Sequence, residues 1–339
     1  AMLGAAVLAW LFANAVSKPV RELRDVAKAL AEGDFTRRPA LAAPGEVGEL
    51  ADAVHRLAEQ LATLGIAVSK NTVGRLLKQM DYKLRVNRKQ IATSKSPDRN
   101  SQFLYIGGQR QRYADQGLPV ISVDTKKKEL IGAFKNPGAT WDRQPHLVND
   151  HDFRSDASAL AVPRGVYDTR ANCGSVFVGQ SHDTPAFAAD TLAQWWLNEG
   201  RHRYPQAQEL LLLADGGGSN GWRCHAWKKA LQDRICDPFG LTVTVSHYPP
   251  GTSKWNPIEH RLFSQITRNW AGQPLTDIET MLNFIRTTKT DTGLSVTAYL
   301  FPGEYDTGIK FSKAEIRELN IVKHDTLGQW NYSLHPARM

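Results

Sequence analysis

Cysteine is scarce: the 339 residues contain three, Cys173, Cys224 and Cys236, and no two form a CxxC pair. That excludes a disulfide framework and a cysteine-based zinc site, and it fits a reducing compartment. Low-complexity tracts are also missing, and with 42% hydrophobic and 22% charged residues the chain is neither fibrous nor disordered. Nor is there a long apolar run. The longest candidate, Ala1 to Val16, is shorter than the roughly 20 residues that a spanning helix requires and carries Asn14 inside it. Two further scarcities are regional. Residues 36–64 have no aromatic side chain, whereas eight of the nine tryptophans lie beyond residue 140. Basic excess is absent from residues 1–64, which hold seven Lys+Arg and eight Asp+Glu, so the net charge of +8 is carried entirely downstream. An overall balance of this kind suits a polyanionic partner. The chain is long enough for about two domains, and two unrelated pieces join near residue 65.

The opening run reads as the last part of a transmembrane helix whose beginning is missing, or as a buried amphipathic helix. Pro19 suits the first turn of a following helix, with Val20, Leu23, Ala27 and Leu30 at three- and four-residue steps. Gly33 and the stretch Pro39 to Gly45 break that pattern. A second apolar stripe then runs through Leu50, Val54, Leu57, Leu61 and Leu64. Two short amphipathic helices after a membrane-like run, with Pro19, Gly33 and Glu46-Val47-Gly48-Glu49-Leu50 in place, resemble a HAMP linker over residues 17–64. In that family the linker hands a signal to a kinase or methyl-accepting module, and no such module follows here. The segment is therefore expected to be a fusion fragment without a signalling role. The alternative is a membrane-associated signalling fragment joined to an inactive remainder.

Residues 65–90 change character. Ser69 is an expected N-cap for a helix with Val73, Leu76, Leu77 and Met80 on one side and Lys70, Asn71, Thr72, Arg75 and Lys78 on others. This reads as the recognition helix of a partial helix-turn-helix, with the basic run Tyr82 to Lys89, including Arg85, Arg88 and Lys89, laid along phosphates. A solvated helix face followed by a charged linker would look the same, and the preceding helices are not evident.

Three carboxylates then stand in recognisable local settings. Pro119 to Asp124 is a short β-branched run ending in an acid, followed by Lys126-Lys127-Lys128 and a second apolar run from Leu130 to Phe134, which together predict a hairpin. Glu209 to Ala214 is, after its first residue, a fully apolar, hence central, strand that ends in Asp215 and a glycine turn. Acids at the C-terminal ends of strands in an α/β sheet sit where ligands bind. The third, Glu259, follows a Pro/Gly loop and opens a helix with Leu262, Phe263 and Ile266 three, four and seven residues later. Converging at one sheet edge, Asp124, Asp215 and Glu259 would bind two divalent ions, with hard oxygen ligands suiting Mg²⁺. Taken singly, each acid is equally a turn former or a helix-dipole partner.

The blocks Ser122 to Gly132, Ala214 to Gly221 and Pro249 to Phe263 closely resemble the three motif blocks of the Rhodopirellula-type DDE transposases of bacterial insertion sequences. The resemblance extends through Pro97-Asp98-Arg99, Gly165-Val166-Tyr167-Asp168, Trp195-Trp196, Arg203-Tyr204-Pro205 and Gly328 to Tyr332, covering about residues 66–335. It implies an α/β, RNase H-like mixed sheet flanked by helices over 91–339, with Asp124, Asp215 and Glu259 as the catalytic acids. It also implies two Mg²⁺ ions (or Mn²⁺), hydrolysis of a phosphodiester at transposon ends, and use of the freed 3′-OH to attack target DNA. A homo-oligomer on DNA follows, because two ends must be brought together, and a cytoplasmic, nucleoid-associated location is expected, with the inner membrane as the alternative. Family members read their ends through an N-terminal helix-turn-helix. Where HAMP-like sequence replaces its beginning, end recognition is expected to be weak and salt-sensitive.

Other residues compete for attention. Lys126 and Lys127 beside Asp124 either contact phosphates or form the solvated rim of a turn. Lys254 and Trp255 are placed to touch a strand by charge and by base stacking, although Trp255 equally suits a loop anchor. His225, His247 and His260 lack ligand spacing, and imidazole matches Mg²⁺ less well than carboxylate does. A different RNase H-like nuclease, cutting without strand joining, is the remaining competitor.

Overall fold

The computed structural model describes residues 25, 56, 75, 77–80, 82 and 97–337. The chain divides into two compact units, Ala1–Gln90 and Ile91–Met339. In the first, Asp25, Arg56, Arg75 and Leu77 to Gln79 are helical. The rest of the expected N-terminal helix, the HAMP-like hairpin and the recognition helix, including Lys70, Asn71 and Thr72, lies outside the described residues, as do Arg85, Arg88 and Lys89. Among the described residues no helix is long and apolar enough to cross a membrane.

The second unit begins with helix α1 (Arg99–Asp115) and strands β1 (Val120–Thr125) and β2 (Glu129–Ile131). Next come the hairpin β3 (Ala159–Asp168) and β4 (Cys173–Gly179), helix α2 (Pro185–Trp195), β5 (Glu209–Ala214), α3 (His225–Leu231) and β6 (Thr242–His247). A π-helical turn, Glu259–Phe263, runs into α4 (Ser264–Asn269), followed by α5 (Ile278–Arg286), β7 (Ser295–Leu300), α6 (Lys313–Arg317), β8 (Ile321–Lys323) and β9 (Asn331–Leu334).

The strands form one mixed sheet in the order β7-β4-β3-β1-β5-β6-β9-β8, with β2 attached to β3. Strands β1, β3 and β4 meander antiparallel, while β5 and β6 run parallel to β1. This is the RNase H-like arrangement that the resemblance implied. Both faces of the sheet are covered, which explains the unbroken leucine run. Leu210 and Leu212 join Trp195, Trp227 and Leu231 on one face, whereas Leu211 and Leu213 meet Ile106, Tyr113 and Tyr248 on the other. Nearer β4, Val176 and Val178 pack against Leu262, Ile266 and Met281.

One local expectation is corrected. β1 and β2 do not pair as a hairpin: β1 lies between β3 and β5, and β2 pairs instead with the first residues of β3, Leu130 opposite Leu160. Both runs of the expected hairpin are strands, but the inner edge of β1 is taken by its parallel partner β5 and the outer by β3. No edge is left for β2.

Candidate active site

Parallel pairing of β1 with β5 sets the first two acids side by side. The register matches Val123 with Ala214, so Asp124 and Asp215 occupy the next positions on adjacent strands, which run about 4.8 Å apart. Glu259 comes from the π-helical turn that packs beneath them. Its approach depends on two glycines in the strands. A Cβ on Gly165, the partner of Asp124 across β3, would lie 2.6 Å from Phe263 and 2.8 Å from Ile258. A Cβ on Gly174 would lie 2.4 Å from Leu262. Only hydrogen at these positions lets the turn carrying Glu259 press onto the sheet.

The three carboxyls sense one another. Burial pushes Asp215 up to about 6, helped by the charge of Asp124. Glu259 rises to about 7, first through burial and then through the charges of Asp124 and Asp215. Burial also raises Asp124, opposed by Arg164 and by the Thr125 amide, which donates to Asp124 Oδ1 at 2.7 Å. Asp124 and Glu259 lie close enough for each to shift the other. Among the described residues no group of three or more His, Cys, Asp and Glu side chains has the spacing of a formed metal site. In chemistry, however, the donor set fits a hard divalent cation. It offers oxygen ligands only, and burial, with the neighbouring carboxylates adding to it at Asp215 and Glu259, holds their pKa values above the ordinary range until a positive charge arrives.

Asn256, not singled out from the sequence, ties the three motif blocks together. It is fully buried. Its Nδ2 donates to Asp215 Oδ1 at 3.0 Å, and its Oδ1 accepts from the Ser122 hydroxyl. Its main-chain oxygen accepts from the Glu259 amide at 3.1 Å. Ser122 Oγ in turn accepts from the Ile258 amide at 3.1 Å. One residue thus fixes a carboxylate and the strand before another through its side chain, and the start of the turn that bears the third through its main chain. Behind Asp215, His247 is fully buried: its Nδ1–H donates to the Asp215 main-chain oxygen at 2.8 Å, and Nε2 accepts from Tyr332 at 3.2 Å. Burial lowers this imidazole to about 4, so it is a neutral strut.

The cationic candidates separate in space. Lys126 turns inward: its ammonium sits 2.7 Å from Glu129, lies 4.5 Å from the Trp270 ring centre, and lowers the pKa of Glu259. With its side chain 9% exposed, Lys126 is placed to neutralise acids rather than to meet solvent. Lys127 and Lys128 face outward, as do Lys254 and Trp255. Lys254 lies over the Trp255 ring at 5.5 Å, and that ring meets Phe103 edge-on at 6.2 Å. Arg75 is helical and exposed. His225 is exposed as well, and His260 Nε2 bonds the Lys254 main-chain oxygen.

Residues 51–336 match the family described as Rhodopirellula transposase DDE domain, and residues 11–63 match the HAMP domain family. No curated protein matches the chain. Among solved structures, it is similar to a Mos1 transposase paired-end complex with left transposon end, at 16% identity and a TM-score of 0.42 over 78% of each chain. It is likewise similar to a Mos1 strand transfer complex, at 16% identity and a TM-score of 0.40 over 78% of each chain.

Proposed function

Because the chain belongs to the Rhodopirellula-type DDE transposase family, we propose that Asp124, Asp215 and Glu259 are its catalytic acids, acting at the ends of an insertion sequence and on target DNA. The observation that carries this reading is geometric: the register of β1 and β5 sets Asp124 and Asp215 at adjacent strand ends, and buried Asn256 bonds both Asp215 and the start of the turn that bears Glu259. The three acids would hold two divalent ions, Mg²⁺ or Mn²⁺. Bound there, such ions activate the attacking oxygen and stabilise the leaving one in an in-line displacement.

The chain's own groups supply the rest. Asn256 orients Asp215 through its amide, and the Thr125 amide orients Asp124. Lys126 offsets the charge of Glu259 from the buried side. Lys127, Lys254 and Trp255, all exposed, lie along the DNA, the lysines on phosphates and the indole on a base. Upstream, the family match reaches back to residue 51 and overlaps the HAMP match over 51–63. By the resemblance, Lys70, Asn71, Thr72 and Arg75 would read the transposon ends. Arg85, Arg88 and Lys89 follow along the backbone. The working assembly is a homo-oligomer holding two ends.

The test is nicking of a supercoiled plasmid that carries the sequences flanking this gene, with Mn²⁺. Asp215→Asn loses the cut while retaining DNA affinity, because one ligand goes and no basic surface changes. Mn²⁺-dependent nicking by that variant at the wild-type rate would overturn the assignment.

A further inference from the structure

Arg164 is the most costly residue near the three acids, and nothing in the chemistry described so far uses it. It stands in the middle of β3, in a run that is otherwise apolar, and is 1% exposed. Its Nη1 donates to Thr125 Oγ1 at 3.0 Å and to Ser219 Oγ at 3.2 Å. Nε and Nη2 are buried and have no hydrogen-bond partner. The charges that answer it are those of Asp183 and Asp124, yet neither is among its hydrogen-bond partners. Burying a guanidinium without a paired carboxylate is expensive, and replacing such a group by an apolar one is often neutral or stabilising. Stability alone does not account for this arginine.

Its position suggests what does. Thr125 directly follows Asp124 and lies opposite Arg164 across the β1–β3 ladder. The Thr125 amide holds the Asp124 carboxylate, while its hydroxyl accepts from Arg164 and donates to Asp183 Oδ1 at 3.2 Å. Ser219 lies in the glycine-rich turn four residues after Asp215 and is 8% exposed. One nitrogen of Arg164 therefore grips the residue after one acid and the turn after another. Asp183, just before the Thr184 cap of α2, anchors the far side.

We propose that Arg164 is a positioning residue that braces the ends of β1 and of the turn after β5, so that Asp124 and Asp215 face one cation site at a fixed separation. The inference rests on the assignment of those carboxylates as metal ligands. It makes a prediction of definite sign. Arg164→Met removes a positive charge beside the cation site, and charge alone would then make Mn²⁺ bind more tightly. A brace requires the opposite.

The experiment is calorimetric titration of Mn²⁺ into the full chain, with strand-transfer kinetics alongside, for the wild type, Arg164→Met, Arg164→Lys and Thr125→Val, each checked for folding by near-ultraviolet circular dichroism. Arg164→Met is expected to weaken Mn²⁺ by about tenfold or more and to lower kcat with little change in KM for DNA. Thr125→Val, which leaves the charge untouched, shifts both in the same direction, and Arg164→Lys recovers part of the loss. Mn²⁺ affinity equal to or tighter than the wild type in folded Arg164→Met overturns the brace. If that variant does not fold, wild-type affinity in Thr125→Val overturns it. A wild type that neither binds Mn²⁺ nor joins strands removes the carboxylate assignment and the brace with it, whereas a competent wild type with unaffected variants removes the brace alone.

Discussion

At the scale of single residues, the site is a problem in electrostatics. Asp215 and Glu259 have native pKa values of about 6 and about 7, against ordinary values of 3.8 and 4.5, with burial the leading cause and neighbouring carboxylates the next. Both shifts are upward. The native state therefore binds more protons than the unfolded chain between those limits, and the stability these groups contribute is lost as pH rises. Buried His247, lowered to about 4, works in the opposite direction over part of this window, so the carboxyl contribution is read by difference. The metal-free melting temperature is expected to fall less between pH 5.5 and pH 8 in Glu259→Gln than in the wild type, and Mn²⁺ to raise the wild-type melting temperature more at pH 8. Differential scanning calorimetry across that range checks it; a Mn²⁺ effect independent of pH would contradict it. Asn256 gives a second prediction. Asn256→Ala leaves Asp215 Oδ1 and the Ser122 hydroxyl without their buried partner, and a 10–100-fold fall in strand-transfer kcat is expected, the usual effect of losing a group that orients a metal ligand. Wild-type kcat in the folded variant would show that the amide does not orient the site.

At the scale of elements, the seat of the Glu259 turn decides whether the third acid arrives. Gly165→Ala places a methyl within 2.6 Å of Phe263. Overpacking of this kind costs about 1–3 kcal/mol, and the Phe263 and Ile258 side chains that seat the turn must give way. Chemical denaturation should show that loss, and strand transfer should fall more than DNA affinity does. Equal losses in both would mean that the whole unit, rather than the turn, has been disturbed. These elements were unequally legible in the amino-acid sequence. The leucine run before Asp215 announced a central strand because both of its faces are buried. The strand ending at Asp124 was equally clear, yet its pairing was misread, since a lysine turn between two apolar runs gives no sign that a strand more than thirty residues away fills the edge. The motifs Gly165 to Asp168 and Arg203 to Pro205 turn out to be framework. Buried Asp168 accepts from the Tyr204 hydroxyl and from Arg203 Nη1, both at 2.9 Å, and so ties the end of β3 to the segment after α2. Arg164 and Asn256 went unread for a different reason: their side chains act through partners 39 to 134 residues away. The one local sign was an arginine in the apolar run of β3, four residues before Asp168.

At the scale of the molecule, the basic excess belongs to residues 65–339, and contacts with phosphates release counterions. DNA affinity should therefore fall linearly on a logarithmic salt scale. Lys254→Ala and Lys127→Ala are each expected to weaken binding uniformly across sequences and to reduce that slope by about one. An unchanged slope in a filter-binding titration would remove the residue from the interface. End recognition and chemistry are distinct contributions, and a substrate that needs no first cut separates them. The most direct test is transfer of a labelled, pre-cut 3′-OH end into plasmid DNA with Mn²⁺, comparing the wild type with Asp215→Asn. Joined product from the wild type and none from the variant is the expected result. Plasmid cleavage without joining would make the protein a nuclease, and joining by Asp215→Asn would contradict the placement of the chemistry at these three acids.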